Sequence, residues 1–164
     1  HRNIQGVAVR PGTDQVFTAE HGPTFDDEVN LSVKGANYGW DPSKGGTDSS
    51  YDEDVPMTDT RRFPGAITPL WTSGQITEAI SGAAFLTGEQ WGSLEGRLAV
   101  VALKGQKMLL FNADQTGKIT EVILPPEFND KFGRLRAART APDGALYVTT
   151  SDGDNDKVLR ITPA

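Results

Sequence analysis

The sequence contains no cysteine. Disulfide bridges and thiolate metal centres are therefore excluded, and the redox compartment is left open. No run of about 18 apolar residues occurs, which excludes a membrane-spanning helix. No secretory leader is visible either. Helical periodicity is scarce. No helix of more than two turns can be placed, and the best candidate is residues 88–94. Positive charge is in deficit: 16 Lys and Arg against 22 Asp and Glu give a formal charge of −6. That balance argues against nucleic acid or an anionic membrane as a partner. The chain opens at His1 rather than Met, so a processed form, an engineered form or a fragment is expected.

What is present points to an all-β protein. With 164 residues the chain can bury a core of ordinary single-domain size. It carries 18 Gly and 10 Pro beside a hydrophobic fraction of 37%, the mixture expected of many short strands and turns. Strands are predicted at 6–9, 15–19, 67–72, 82–86, 97–103, 107–111, 119–124, 134–140, 145–150 and 158–161. A hairpin turn is expected at 112–117. Residues 41–64 are rich in Ser, Gly, Asp and Pro without periodicity, and read as a long irregular excursion.

The chain also repeats itself. VAVRPGTDQVFTAEHG, starting at Val7, aligns with ARTAPDGALYVTTSDG, starting at Ala138, if one residue slips in the turn. Both read as strand, Pro-containing turn, aromatic-bearing strand and polar Gly turn. Small antiparallel sheets repeating every 40–50 residues or so mark a β-propeller. The copies start 131 residues apart, from Val7 to Ala138, which is about three such periods. About three blades are expected, and propellers close with about four to eight. The ring is then incomplete.

Residues 20–40 organise the rest. They contain a turn at His21-Gly22-Pro23, three acids at Asp26, Asp27 and Glu28, alternating Val29, Leu31 and Val33, and a second turn closed by Tyr38 and Trp40. Hard cations take carboxylate and backbone carbonyl oxygens from a loop that bends sharply. A solvated acidic loop is the alternative. Arg2, Asn3 and Gln5 form a polar group ahead of the first strand, either an ordinary strand start or a recognition cluster. Lys104 ends the most apolar strand, as a solvated strand end or a cation aimed into a channel. Arg134 and Arg136 are two apart, so an extended chain would place both on one face. Adjacent cations repel unless an anion lies between them, and the alternative is two solvated arginines.

The segments His1-Arg2-Asn3-Ile4-Gln5-Gly6, Glu20-His21-Gly22-Pro23, Asp27-Glu28-Val29-Asn30 and Gly35-Ala36-Asn37-Tyr38-Gly39-Trp40 occur in this order. Together they resemble the soluble pyrroloquinoline quinone (PQQ) dependent glucose/sorbosone dehydrogenases, also called aldose sugar dehydrogenases. The likeness continues more loosely through Ser81-Gly82-Ala83-Ala84-Phe85-Leu86, Leu103-Lys104-Gly105, Gly133-Arg134-Leu135-Arg136 and Ala141-Pro142-Asp143-Gly144. The resemblance implies a six-bladed β-propeller with the quinone in its central channel, of which residues 1–164 form the C-terminal half. It implies that Arg2, Asn3 and Gln5 contact PQQ, and that Lys104, Arg134 and Arg136 hold its carboxylates and quinone oxygens. It further implies calcium at the carbonyls of Gly22 and Pro23, and a second, structural calcium at Glu28 and the Tyr38 carbonyl. A periplasmic or secreted location and an aldose substrate oxidised to its lactone follow from the same likeness.

The pattern also departs from the family. The family's catalytic base is a His upstream of the His1-Arg2-Asn3 motif, outside this chain. His1 and His21 belong to other parts of the pattern, so no catalytic residue is assigned. Residues 75–82 do not match the family's motif there, and Trp71 is not given to the quinone site. The long sugar-binding insertions of the glucose enzyme are absent, which favours the broader aldose branch. A non-catalytic reading stands beside the enzymatic one. Open sheet edges invite pairing, so the chain is read alternatively as a binding or assembly module that closes a ring with a second copy or with a separate N-terminal half. A lectin-like sugar binder is the third reading, on fold analogy alone.

Overall fold

Strands form where apolar and β-branched residues are bounded by Gly, Pro and Asp turns. A computed structural model of the chain describes residues 1–43 and 54–163, so residues 44–53 of the predicted excursion lie outside the described residues. The first sheet holds β1 (Ile4–Val9), β2 (Val16–Glu20), β3 (Glu28–Leu31) and β4 (Trp71–Thr72). The second holds β5 (Ile80–Phe85), β6 (Leu98–Ala102), β7 (Met108–Ala113) and β8 (Ile119–Ile123). The third holds β9 (Leu135–Thr140), β10 (Leu146–Thr150) and β11 (Val158–Ile161). Each is an antiparallel meander with its first strand at one edge. These are the three blades that the internal repeat predicts, and the aligned copies occupy β1–β2 and β9–β10.

The first strands of the sheets lie side by side, β1 against β5 and β5 against β9. Two glycines permit this approach. A Cβ on Gly6 would stand 2.2 Å from the Ser81 carbonyl oxygen, and one on Gly82 would stand 2.4 Å from the Ala138 nitrogen. Only hydrogen fits there. The buried Ser81 hydroxyl is within hydrogen-bond reach of the Leu135 and Val101 carbonyls (2.9 and 3.2 Å) and links the second and third sheets.

Two apolar cores result. Phe17, Val29, Phe85 and Phe111 fill the space between the first and second sheets. Trp91, Leu110, Leu135 and Leu146 fill the space between the second and third. The second sheet is thus covered on both faces. This explains why β6 is buried at every position and shows no polar alternation. Trp71 meets Phe111 edge-on, with ring centroids 5.2 Å apart, and serves the first core.

Three local predictions change. The strand expected at 67–72 shrinks to Trp71–Thr72, because Pro69 has no N–H for a ladder. The helix expected at 88–94 is a 3₁₀ segment, Glu89–Leu94, broken at Gly92, whose φ of 52° and ψ of −120° are not helical. The 112–117 turn starts later, since β7 runs to Ala113. Asp114 Oδ1 then closes the turn by accepting from the Thr116 and Lys118 N–H groups.

One irregularity recurs in all three inner strands. The register slips between Ile4 and Gly6 in β1, between Ile80 and Ala83 in β5, and opposite the Thr149/Thr150 step in β9. In β1 the extra residue is Gln5, and in β9 it is Arg136. Such β-bulges bend a strand and re-aim a side chain.

Candidate functional site

The site lies where the inner strands begin. Gly6 meets Ser81 and Ala83, and Gly82 meets Ala137 and Ala138, so β1, β5 and β9 run in the same direction with their starts together. The turn after β2 and the turn between β6 and β7 return to this end, because Glu20 pairs with Ile4 and Ala102 pairs with Ile80. Every candidate residue from the sequence therefore comes to one end of the sheets. A cavity of about 970 Å³ opens at the opposite end, lined among others by Val9, Phe85, Thr87 and Arg139. The residues that line it include none of these candidates.

The turn at Gly22 is built around a buried carboxylate. A Cβ on Gly22 would fall 1.9 Å from the Phe25 carbonyl oxygen, so the turn tolerates only glycine. Asp27 is fully buried. Its Oδ1 accepts from the Gly22 N–H at 2.8 Å and from the Thr77 hydroxyl at 2.9 Å. Its Oδ2 accepts from the Glu78 N–H at 2.6 Å. The His21 Nδ1 stands 3.3 Å away. Burial alone would raise this carboxyl, but the His21 ring beside it and the hydrogen bonds from Gly22 and Thr77 outweigh it and hold it below the usual range.

Arg2 covers the same turn. Its Nη1 donates to the carbonyls of His21 (2.7 Å) and Gly22 (3.1 Å), and its guanidinium lies over the Trp40 ring at 5.4 Å. Asn3 and Gln5 are bonded to each other, Gln5 Nε2 to Asn3 Oδ1 at 2.7 Å. Pro23 follows Gly22 and is buried.

A second cluster occupies the face of the first sheet turned away from the first core. Phe17 and Ala19 point into that core, so Thr18 and Glu20 point the other way. Across the ladder, Thr18 opposes Asn30 and Glu20 opposes Glu28. All four are at most 3% exposed. The Thr58 hydroxyl lies 2.8 Å from Glu28 Oε1 and 3.0 Å from the Tyr38 carbonyl oxygen. One hydroxyl proton serves only one of these oxygens at a time. Asn30 Nδ2 donates to Glu28 Oε2 at 3.1 Å, while Asn30 Oδ1 and Thr18 Oγ1 are buried without a hydrogen-bond partner among the described residues.

Burial, together with the charges of Glu20 and Asp26, pushes the Glu28 carboxyl up to about 7, against hydrogen bonds from Asn30 and Thr58. Burial also raises Glu20, against the N–H groups of Arg2 and Asn3 and the N-terminal charge. His1 Nδ1 is 2.6 Å from Glu20 Oε2, and the His1 ring stacks on Tyr38 at 3.9 Å. Two opposed buried carboxylates, two orphaned oxygens and a nearby carbonyl make a donor set that suits a hard cation. Among the described residues no three His, Cys, Asp or Glu side chains gather as a metal cluster. A cation here would draw on carbonyl, amide or hydroxyl oxygen as well as carboxylate.

The three remaining cations are exposed. Lys104 sits in the β6–β7 turn beside Gly105, whose N–H donates to the Glu78 carbonyl at 2.9 Å. Arg134 is tied to the turn after β10, with its N–H on Asp152 Oδ1 and its Nε on the Ser151 carbonyl, both 3.1 Å. The extended-chain premise for Arg134 and Arg136 needs correction. β9 begins at Leu135, and Arg136 is the bulged residue, so the two do not share the alternation of a regular strand.

The structure thus brings Arg2 onto Gly22, joins Glu28 to the Tyr38 carbonyl through Thr58, and places Lys104 one hydrogen-bonded step from the Asp27 network. Arg134 and Arg136 reach the same end from the third sheet without touching these groups through any hydrogen bond described above. Thr18 and Glu20, like Glu28 and Asn30, are polar residues two apart in short strands, and that alternation is the local signal of a polar sheet face. Thr58 carried no signal, since its surroundings are aperiodic, and Thr77 is joined to Asp27 only by the fold.

A family model described as "Glucose / Sorbosone dehydrogenase" matches residues 1–160. The chain is 31% identical over 164 residues to "Aldose sugar dehydrogenase YliI" of Escherichia coli (strain K12), covering 99% of this chain and 42% of that protein. It is 50% identical over 204 residues to "Quinoprotein glucose dehydrogenase B" of Acinetobacter calcoaceticus, covering 94% of this chain and 42% of that one. The crystal structure of the soluble aldose sugar dehydrogenase from Escherichia coli in the apo-form superposes with a TM-score of 0.79 at 31% identity, over 99% of this chain and 45% of that chain. The chain therefore spans less than half the length of these relatives.

Proposed function

Since the chain belongs to the glucose/sorbosone dehydrogenase family, we propose that it forms the PQQ- and calcium-binding side of a sugar dehydrogenase that oxidises an aldose to its lactone. The observation that carries this reading is the meeting of all ten candidate positions at one end of β1, β5 and β9. Lys104, Arg134 and Arg136 offer exposed cations to the carboxylates of a planar triacid. Arg2, held over Trp40 and bonded to two carbonyls, presents a fixed guanidinium edge beside them. Asn3 and Gln5 add neutral donors and acceptors.

The carbonyls of Gly22 and Pro23 are assigned to calcium at the quinone. A carbonyl oxygen has two lone pairs, so Gly22 can accept from Arg2 and still ligate a cation. The Glu28 carboxylate and the Tyr38 carbonyl are assigned to the second, structural calcium. When bound, the quinone supplies the hydride acceptor and its calcium the Lewis acid that polarises it. This chain's own part is to bind and orient. No proton acceptor for the sugar hydroxyl is assigned, because His1 and His21 face the buried carboxylates of Glu20 and Asp27. A periplasmic or secreted setting belongs to the same proposal, and among the described residues no helix is long and apolar enough to cross a membrane.

A steady-state assay tests the reading. With PQQ, calcium, an aldose and an artificial electron acceptor, the intact protein should turn over and these 164 residues alone should not. Robust turnover by the 164 residues alone would mean that a base within them has been overlooked. Absence of quinone binding by the intact protein would remove the proposal altogether.

A second reading, assembly with another propeller piece, is favoured by the outer sheets. Val7 and Val9 are 58% and 59% exposed on the outer face of the first sheet, and Val158 is 69% exposed on β11. Among the described residues β11 pairs only with β10. Open edges and apolar faces of this kind seek partners. The expected native mass of the 164 residues is that of a dimer at high concentration, measured by sedimentation. A strict monomer would exclude ring closure by a second copy and leave a separate N-terminal half as the partner.

A further inference from the structure

We propose that Asp27 is a positioning residue, one buried carboxylate that holds the Gly22–Pro23 carbonyls and the Lys104 turn in a common register. The inference rests on the reading of that turn as a calcium ligand. Its support is a set of bonds that no assignment above uses. The Gly22 N–H comes from the first sheet's turn, whereas the Thr77 hydroxyl and the Glu78 N–H come from the chain leading into the second sheet. Asp27 is anchored by its own backbone too. Its N–H donates to Ser73 Oγ and its carbonyl accepts from the Ser73 N–H, both at 2.9 Å. The carboxylate is therefore a fixed point to which two sheets are tied.

Glu78 carries the connection onward. Its N–H is on Asp27, its carbonyl accepts from the Gly105 N–H at 2.9 Å, and its Oε1 takes Lys107 Nζ at 3.1 Å. Lys104 adjoins Gly105, so the direction of its side chain is set by a turn that ends on Asp27. A shift of the carboxylate moves the carbonyls of one sheet and the cation of the next together.

The chemistry requires an anion rather than an amide. Three donors and the His21 ring converge on two oxygens. Asparagine supplies one acceptor oxygen, and its NH₂ would face the Gly22 N–H or the Glu78 N–H. Either orientation breaks one of the backbone bonds through which the carboxylate ties the two sheets. Partners that orient a ligand in this way change metal affinity by about 10–100-fold when removed.

The test uses the intact protein carrying Glu28→Gln, so that calcium alone, titrated calorimetrically, reports on the turn. Adding Asp27→Asn should weaken calcium binding by about tenfold or more. Adding Thr77→Val, which removes one donor from the second sheet and leaves the charge, should weaken it in the same direction by a smaller factor. A purely structural role would instead lower the melting temperature in chelator and leave calcium affinity unchanged. That result overturns the inference while the turn remains a calcium ligand. If Asp27→Asn does not fold, Thr77→Val decides alone, and unchanged affinity overturns the inference. If the protein with Asp27 intact binds no calcium at the turn, the reading of the turn fails and the inference falls with it.

Discussion

Replacing Glu28 with Gln should remove several degrees of the rise in melting temperature that calcium gives, and leave the melting temperature in chelator unchanged or higher. In chelator Glu28 is a buried carboxyl facing Glu20, with its pKa pushed up to about 7. A carboxyl raised on folding costs nothing below its unfolded value of 4.5, where both states are protonated. The cost grows as the pH rises through 7 and is then complete. With about 1.4 kcal/mol per pH unit, it reaches about 3 kcal/mol. Apo stability should therefore fall on this account between pH 4.5 and 7, and Gln should remove the fall. Calcium opposes this cost, because a ligand held by Glu28 binds only the folded protein with Glu28 ionised. At a hundred times its dissociation constant a ligand adds about 2.7 kcal/mol, or about 5–10 °C for a chain of this size. Thermal melts at pH 8 with and without calcium check this. An equal rise on adding calcium in the variant and the parent would show that Glu28 is not a ligand.

Arg136→Ala should weaken PQQ binding by about 1.5–3 kcal/mol, the range for a hydrogen bond to a charged group, or about 10–150-fold. Arg134→Ala should fall in the same range. The two differ in what else they disturb. Arg134 Nε holds the Ser151 carbonyl, so its removal should also loosen the turn after β10. Arg136 is exposed in a bulge and has no such duty among the hydrogen bonds described. Quinone titration by fluorescence quenching, with thermal melts alongside, separates the effects. If both variants bind PQQ as tightly as the parent, the anion clamp is wrong.

The strands were readable because their signals are local. Residues 98–103 form an unbroken apolar run, and Asp114 to Gly117 carries turn chemistry. Where a local signal competed with a non-local one, the reading slipped. Pro69 sits inside an otherwise strand-like run, and Gly92 inside a helix-like one. Arg134 and Arg136 show the limit most clearly. Spacing of two implies a shared face only in a regular strand, and a bulge is decided by the partner strand. The candidate site was legible as motifs around the turn and as cations, through resemblance. Its buried half was not. Asp27 and Thr77 lie fifty positions apart, and only the packing of two sheets brings them within 2.9 Å. Thr58 likewise reaches Glu28 from a stretch without periodicity.

The recurring bulges have a consequence for how such a molecule diversifies. A residue that has no opposite number in the ladder is released from the complementarity that fixes its neighbours. Gln5 and Arg136 occupy this position in their blades, and they differ in length, charge and hydrogen-bonding capacity while the flanking strands keep the same plan. Duplication of one blade thus yields equivalent sockets around an axis, and each can be refitted with new chemistry while the wall behind it stays intact.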